Sequence, residues 1–267
     1  MGKSQNISQS LNEGLNSHAL SGSSFGYSAV DLADLGASTY TLVTLVVDLS
    51  GSVSGYVDQI EKTIAAIVDA NNLPQNPRRD NLLFRIITFN DVATELHGFK
   101  LSTTCNPADY TGKLSAYGST ALYEAAANAI LAETDYAKDL KSNGYDSNGI
   151  VVIITDGEDN QGSRNGTTAG TVKKALGKAI KSEDLESLVS MVVALAPDND
   201  PNSSFIQYLK QFQTDAGIGE FIFVKDVSPK GFAKLAQYIS KSTSAQSQKV
   251  GSGGPSQPIA PGGSLTI

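Results

Sequence analysis

One uninterrupted apolar run constrains the fold of this chain more than any other feature. It starts at Thr39 and reads TYTLVTLVVDLS, so β-branched and apolar residues follow one another without alternation before polar residues end the run. This continuity is typical of a strand that is covered on both faces, as in a parallel sheet, because a strand with one solvated face alternates apolar and polar residues. The run therefore predicts a sheet with helices packed on each side.

Strands and helices alternate along the rest of the chain. Apolar runs bounded by turn residues predict further strands over 82–89, 92–99, 149–155, 188–194 and 220–225. Apolar residues at helical spacing predict helices that begin near Val57, Leu122, Thr171, Ser203 and Pro229. The alternation predicts an α/β fold: a Rossmann-like, doubly wound and mostly parallel central sheet with one short antiparallel edge strand and helices on both faces.

The two ends of the chain differ in composition from its middle. They are rich in Ser, Gly, Asn, Gln and Pro, and neither contains a long apolar strand. We therefore predict one domain over residues 39–241, preceded by a polar N-terminal arm over 1–38 with short amphipathic segments. A Gly/Ser/Pro/Gln-rich C-terminal arm is predicted over 242–267.

Both arms contain short patterns that suggest docking. Two small apolar patches in the N-terminal arm predict short helices that pack on the domain or on a neighbour: Ile7, Leu11 and Leu15, and Val30, Leu32 and Leu35. The last four residues, Ser-Leu-Thr-Ile, alternate polar and apolar side chains, which favours addition of a strand to another sheet. If the chain belongs to an assembly, neighbouring subunits are expected to contact residues 1–38 and 242–267.

Composition argues against several classes of partner and site. The formal net charge is −7, without a cluster of Lys and Arg, so a general nucleic-acid binder is not expected. No apolar run reaches the roughly 18 residues that span a bilayer, and no secretory signal is recognisable, so we expect no membrane partner and a cytoplasmic chain, or a virion component. One Cys and two His residues leave little material for an intrachain disulfide or for His-dependent catalysis.

Oxygen-bearing side chains follow two predicted strands and precede one predicted helix. The first strand ends in Asp48-Leu-Ser50-Gly-Ser52, the helix at Leu122 is preceded by Gly-Ser-Thr120-Ala, and the strand over 149–155 is followed by Asp156-Gly-Glu-Asp. In a doubly wound sheet, ligands bind at the carboxyl ends of the strands, near the point where strand order reverses. The sequence therefore predicts that these three segments converge at one edge of the sheet.

The motifs D-x-S-x-S, G-S-T-A-L and I-T-D-G-E resemble, in this order, the metal-ion-dependent adhesion site of von Willebrand factor type A domains. The resemblance covers about residues 39–241 and implies five metal-site positions: Asp48, Ser50, Ser52, Thr120 and Asp156. It also implies that the hydroxyls bind directly, and that one or both aspartates act through water. Oxygen donors of this kind suit Mg²⁺, the expected ion, or Mn²⁺ or Ca²⁺, and disfavour Zn²⁺.

The resemblance implies a non-enzymatic protein–protein interaction module. A partner protein would supply an acidic side chain to the vacant coordination position of the metal. The chain is most similar in type to bacterial cytoplasmic members of the family that are associated with stress and tellurite resistance. Two alternatives remain open: a structural subunit of a large phage or secretion particle that is held by its arms, and an accessory subunit of a chelatase or AAA+ machine.

Two enzymatic interpretations are weaker, and no catalytic residue is predicted. Residues 51–55 match G-x-S-x-G with Ser54 as a nucleophile, but Ser54 lies well beyond the strand end, and His97 is the only later histidine. Asp48 as a phosphoacceptor would need a second acid at position 50, where this chain has Ser50. Glu158 and Asp159 are interpreted as solvated loop acids, with support of Asp156 as the alternative.

Overall fold

The computed structural model describes residues 8–20, 25–74, 76–162, 166–196, 199–248 and 264–267. Within these residues, the strands are β1 Asn16–Ala19, β2 Gly26–Ala29, β3 Thr39–Asp48, β4 Leu82–Phe89, β5 Ala93–Leu101, β6 Asp146–Thr155, β7 Leu188–Leu195, β8 Glu220–Val224 and β9 Ser264–Thr266. The main helices are α1 Val57–Asn72, α2 Leu122–Ser142, α3 Ala169–Ser182, α4 Ser204–Ala216 and α5 Pro229–Ser247. None of the described helices combines the length and the apolar character needed to cross a bilayer.

The described strands form one mixed sheet in the order β1-β2-β5-β4-β3-β6-β7-β8-β9. The neighbours β4, β3, β6, β7 and β8 are all parallel, whereas β5 returns antiparallel to β4. The chain builds β4 and β5 on one side of β3 and then crosses through α2 to β6 on the other side. The predicted fold class is confirmed, and strand order reverses between β3 and β6, where such folds bind ligands.

Two helical layers bury the sheet. Helices α1 and α5 pack together on one face, while α2, α3 and α4 cover the other. Every residue of β3 after Thr39 is buried, which explains its uninterrupted apolar sequence. Small side chains on α2, among them Ala125, Ala126 and Ala129, are fully buried and let this helix approach the sheet closely. Pro229 occupies the first turn of α5 after Ser228, as predicted.

The N-terminal segment extends the sheet instead of forming two docked helices. Residues 8–11 make one helical turn, residues 32–34 make a single 3₁₀ turn, and Ile7 lies outside the described residues. Strands β1 and β2 pair with each other, and Ala29 of β2 pairs with Phe99 of β5. The antiparallel strand β5, which was expected at the edge, is therefore covered. Aromatic contacts hold this polar hairpin, because Tyr27 is buried against Phe99 and stacks on His18.

The C-terminal segment also joins the sheet. Helix α5 continues past residue 241 to Ser247, and β9 pairs in parallel with β8 of the same chain, with Phe221 opposite Ser264. The expected strand addition thus occurs on the chain's own sheet. Residues 249–263 of the predicted arm lie outside the described residues, and contacts between the arms and neighbouring subunits stay a prediction.

Candidate metal centre

Three loops meet beyond the carboxyl ends of β3 and β6. They are residues 48–52 after β3 (the first loop), residues 118–120 before α2 (the second loop) and residues 156–162 after β6 (the third loop). The backbone N–H of Gly51 donates to the carbonyl of Gly118 at 3.1 Å and joins the first two loops. The Ser52 hydroxyl donates to Asp156 Oδ1 at 2.7 Å and joins the first loop to the third. The predicted convergence is therefore present.

Hydrogen bonds from its surroundings hold Asp48 in one orientation. The residue is 1% exposed. Oδ1 accepts from the backbone N–H of Ser50 at 2.7 Å, and Oδ2 accepts from the Thr155 hydroxyl at 2.5 Å. Thr155 is the last residue of β6, so β3 and β6 are tied together at the base of the site.

The hydroxyl proton of Ser52 forms a hydrogen bond with the carboxylate of Asp156. Asp156 accepts this proton on Oδ1, and its Oδ2 accepts from the Tyr56 hydroxyl at 3.1 Å. A serine hydroxyl has one proton and two lone pairs. In the 3.0 Å contact between the Ser50 and Ser52 hydroxyls, Ser50 is therefore the donor. A cation that accepts a lone pair from Ser52 would leave its bond to Asp156 intact.

Thr120 reaches the same space from the second loop. Its side chain is buried, with 4% exposure. A Cβ placed on Gly157 would lie 3.9 Å from both Thr120 Oγ1 and Ser52 Oγ, so the two hydroxyls flank one point above the third loop. All five side chains predicted to form the metal site thus come from the three converging loops.

The electrostatics of the site favour a cation. Asp48 and Asp156 are buried, and the ion pairs of the described residues include neither of them. Burial raises the pKa of Asp48 to about 6, although hydrogen bonds from Thr155 and Ser50 act in the opposite direction. Burial also raises the pKa of Asp156. A divalent ion would compensate these two charges.

The donor set restricts which ions fit. Among the described residues, no three His, Cys, Asp or Glu side chains cluster closely enough to hold a metal. An ion at this site would therefore need the three hydroxyls as well as the carboxylates. Neutral and anionic oxygen donors of this kind match the preferences of hard cations.

The comparison with known families agrees with the motif order and the fold. The model of the von Willebrand factor type A (VWA) domain matches residues 43–229. The chain belongs to this family. VWA domains are protein-interaction modules that commonly bind a divalent metal at the adhesion site. Among curated proteins, none matches this chain in sequence.

Solved VWA structures share the fold at low identity. Proximal thread matrix protein 1 of the mussel byssus, with a zinc-occupied adhesion-site motif, has a TM-score of 0.51 and 18% identity over 78% of this chain and 46% of its own. The minor pilin PilB of Streptococcus sanguinis gives 0.53 and 15% over 78% and 62%. The pilus adhesin SpaC of Lactobacillus rhamnosus GG gives 0.55 and 9% over 88% and 35%. The chain thus spans less than two thirds of each relative.

The structure gives Asp159 a supporting role at the start of α2 that the sequence analysis did not anticipate. The Asp159 carboxylate accepts from the backbone N–H of Tyr123 at 2.9 Å, in the first turn of α2, and from Gly162 at 2.5 Å. The interpretation of Asp159 as a solvated loop acid is therefore wrong, because free N–H groups at a helix start bind a carboxylate. Glu158 is exposed. Glu158 and Asp159 are adjacent in the sequence, so their spacing from the motif could not predict which of the two is bound and which is exposed.

The serine-hydrolase interpretation would need His97 as the base for Ser54, and the structure engages this ring elsewhere. His97 is fully buried, and its Nδ1 lies 2.8 Å from the carbonyl of Gly98 while Nε2 lies 2.9 Å from the Tyr110 hydroxyl. Both ring nitrogens are therefore engaged within the core. Burial lowers the pKa of His97 to about 3, so the ring stays neutral.

Proposed function

We propose that this VWA domain binds one divalent cation through Ser50, Ser52 and Thr120, and that Mg²⁺ is the expected ion. Asp48 and Asp156 would balance the charge of the ion. The observation that carries the proposal is a pair of buried carboxylates that have no cationic partner among the described residues and lie beside hydroxyls whose lone pairs are available. Mn²⁺ and Ca²⁺ suit the same donors. Zinc belongs among the ions to test, because a structural relative holds it at a site of this type.

We further propose that the metal recruits a carboxylate from a partner protein. When bound, the ion supplies a Lewis-acidic position that an acidic side chain can fill. The resemblance implies that the direct ligands are the three neutral hydroxyls and that one or both aspartates act through water, so the ion keeps an electron-poor position for an anionic ligand. The rest of the site positions these ligands, and no His, Lys or Cys among the described residues hydrogen-bonds to any of the five. The proposed role is therefore binding and not catalysis.

The proposed setting is that of a cytoplasmic VWA protein of the stress or tellurite-resistance type. Partner capture tests the role. Full-length chain would be used as bait in extract from its host, with Mg²⁺ or with a chelator, beside an Asp48→Ala bait. We expect a partner that is retained only with Mg²⁺ and wild-type bait, and whose retention is lost when one of its surface acids is replaced. A partner that is insensitive to all three changes would contradict the proposal.

A structural subunit is the second candidate. Structural relatives include a thread matrix protein, a minor pilin and a pilus adhesin, which are named for assembled or adhesive structures. This role predicts retention that survives the chelator and Asp48→Ala and that depends on surface residues within 1–38 and 242–267. An accessory role in a chelatase or AAA+ machine predicts a retained ATPase instead.

A further inference from the structure

Asn160 holds the backbone of Thr120 from both sides. The N–H of Thr120 donates to Asn160 Oδ1 at 2.7 Å, and the N–H of Asn160 donates to the carbonyl of Thr120 at 3.0 Å. Asn160 lies in the third loop, four residues after Asp156. One residue therefore links two segments that each supply a proposed metal ligand.

Asp91 fixes the opposite side of the second loop. Its Oδ1 accepts from the N–H of Ser119 at 2.8 Å. Gly118 has a φ of +77°, and a Cβ at this position would collide with the Asp91 carboxylate. The turn between β4 and β5 and the third loop thus clamp residues 118–120 between them.

Thr120 depends on this clamp more than the other hydroxyl ligands do. Ser50 and Ser52 contact each other, and Ser52 donates to Asp156, so their side chains hold one another. Within the described residues, no hydrogen bond holds the Thr120 hydroxyl itself. The direction of this hydroxyl follows from the backbone that Asn160 holds. Because Asn160 bonds the backbone and not the hydroxyl, it leaves the lone pairs of Thr120 available.

We propose that Asn160 is a positioning residue that sets the metal affinity of the site by holding Thr120 in its coordinating position. The inference rests on the proposed metal binding. It predicts that the side-chain acceptor of residue 160, and not its amide character, matters. An Asp at this position would keep the acceptor and the backbone N–H, and would add a negative charge near the ion.

Titration calorimetry of the full chain with Mg²⁺ alone tests this role. Asn160→Ala should weaken Mg²⁺ binding by about 10- to 100-fold, the usual effect of losing a residue that orients a ligand. Asn160→Asp should bind Mg²⁺ at least as tightly as the wild type. In chelator, hydrogen exchange at the Thr120 amide should become faster in Asn160→Ala, while the melting temperature changes by only a few degrees.

Asn106→Ala is the matched control, because Asn106 Oδ1 also accepts from a backbone N–H, at 3.0 Å from Ala108, but outside the metal loops. It should leave the Mg²⁺ affinity unchanged. Equal affinity of wild type and Asn160→Ala would overturn the inference alone, as would an Asn160→Asp variant as weak as Asn160→Ala. A wild-type chain that binds no Mg²⁺ would instead overturn the proposed function, and the inference with it.

Discussion

Ser52 illustrates how one side chain serves two purposes at the sheet edge. Its proton bonds to Asp156, which fixes the hydroxyl, and its lone pairs stay available to a cation. The Thr155 hydroxyl likewise donates its proton to the Asp48 carboxylate and fixes the orientation of that carboxylate. Because the hydroxyl proton points toward a carboxylate, the hydroxyl oxygen can offer a lone pair to a cation where the three loops meet.

Thr120→Val tests whether the hydroxyl from the second loop binds the metal. Valine keeps the shape of the buried side chain and removes only its oxygen. We expect Mg²⁺ affinity to fall by about tenfold or more, which corresponds to about 1.4 kcal/mol of binding free energy, with little change in the melting temperature in chelator. The exposed Thr111, outside the metal loops, gives the matched control Thr111→Val. Equal Mg²⁺ affinity in the two variants would exclude Thr120 as a ligand.

Sequence reasoning reached the five proposed ligands because each belongs to a short motif at a strand end or a helix start. It missed Thr155 as a partner of Asp48 and Asn160 as a partner of Thr120. These pairs lie 107 and 40 residues apart in the chain. Only the folded sheet brings them together, and no local spacing distinguishes them from other polar loop residues.

A buried carboxylate on α1 organises the segment that leads to the second loop. Glu61 is 2% exposed and accepts from three successive backbone N–H groups, those of Gly112, Lys113 and Leu114, at 2.6 to 2.7 Å. We expect Glu61→Ala to destabilise the fold by about 3 kcal/mol, because the chain loses three hydrogen bonds to one buried, charged acceptor. Urea unfolding measures the loss, and exchange of the amides of residues 112–114 should become faster.

The control for Glu61 lies on the same helix. Asp69 is exposed on α1, and Asp69→Ala should change the free energy of unfolding by less than about 0.5 kcal/mol. Similar losses in the two variants would show that Glu61 acts only through helix charge.

Helix α2 buries an ionisable side chain, Glu133, in the protein core. Burial raises the pKa of Glu133 to about 8, although Thr44 and Arg85 act in the opposite direction. The folded chain then keeps the proton while the unfolded chain releases it, so stability falls as pH rises from about 5 to about 8, by at most about 1.4 kcal/mol per pH unit. Glu133→Gln stays neutral and should lack this decline.

The quantity to measure for Glu133 is the difference in the free energy of unfolding between wild type and Glu133→Gln at each pH. Urea unfolding of wild type and Glu133→Gln across this pH range should show the variant gaining stability relative to wild type as pH rises. Glu183→Gln, at an exposed position, should run parallel to the wild type. Parallel curves for Glu133→Gln as well would contradict the protonated, buried carboxyl group.

At the level of elements, apolar continuity and helical spacing were sufficient to predict the strands from β3 to β8 and all five main helices. The strands β1 and β2 were missed. Their sequences, NSHA and GYSA, contain little of the β-branched character that marks a strand. Contacts of Tyr27 with distant rings hold them in place, and these contacts exist only after β5 and α2 have folded.

For the whole molecule, the hairpin β1–β2 and the metal site form separate parts of one sheet. A Cβ on Gly98 would collide with the backbone of Ser28, so β2 can lie on β5 only because residue 98 is glycine. Gly98→Ala should displace the hairpin, cost about 1–3 kcal/mol of stability and expose the N-terminal segment to limited proteolysis. Mg²⁺ affinity should stay unchanged.

Gly177→Ala is the control for Gly98, because a Cβ on this helical glycine meets nothing within 4 Å. It should stabilise α3 slightly and leave proteolysis unchanged. If Gly98→Ala weakens Mg²⁺ binding as strongly as a ligand variant, the two parts of the sheet are coupled, contrary to this account.

Calorimetric titration of the metal-free full chain with Mg²⁺ tests the central claim most directly. We predict saturable binding of one ion per chain, at least about tenfold weaker in Asp48→Ala and unchanged in Asp58→Ala, which alters an exposed acid in the first turn of α1. Absence of saturable binding in the wild type, or equal affinity in wild type and Asp48→Ala, would contradict a metal site at the ends of β3 and β6.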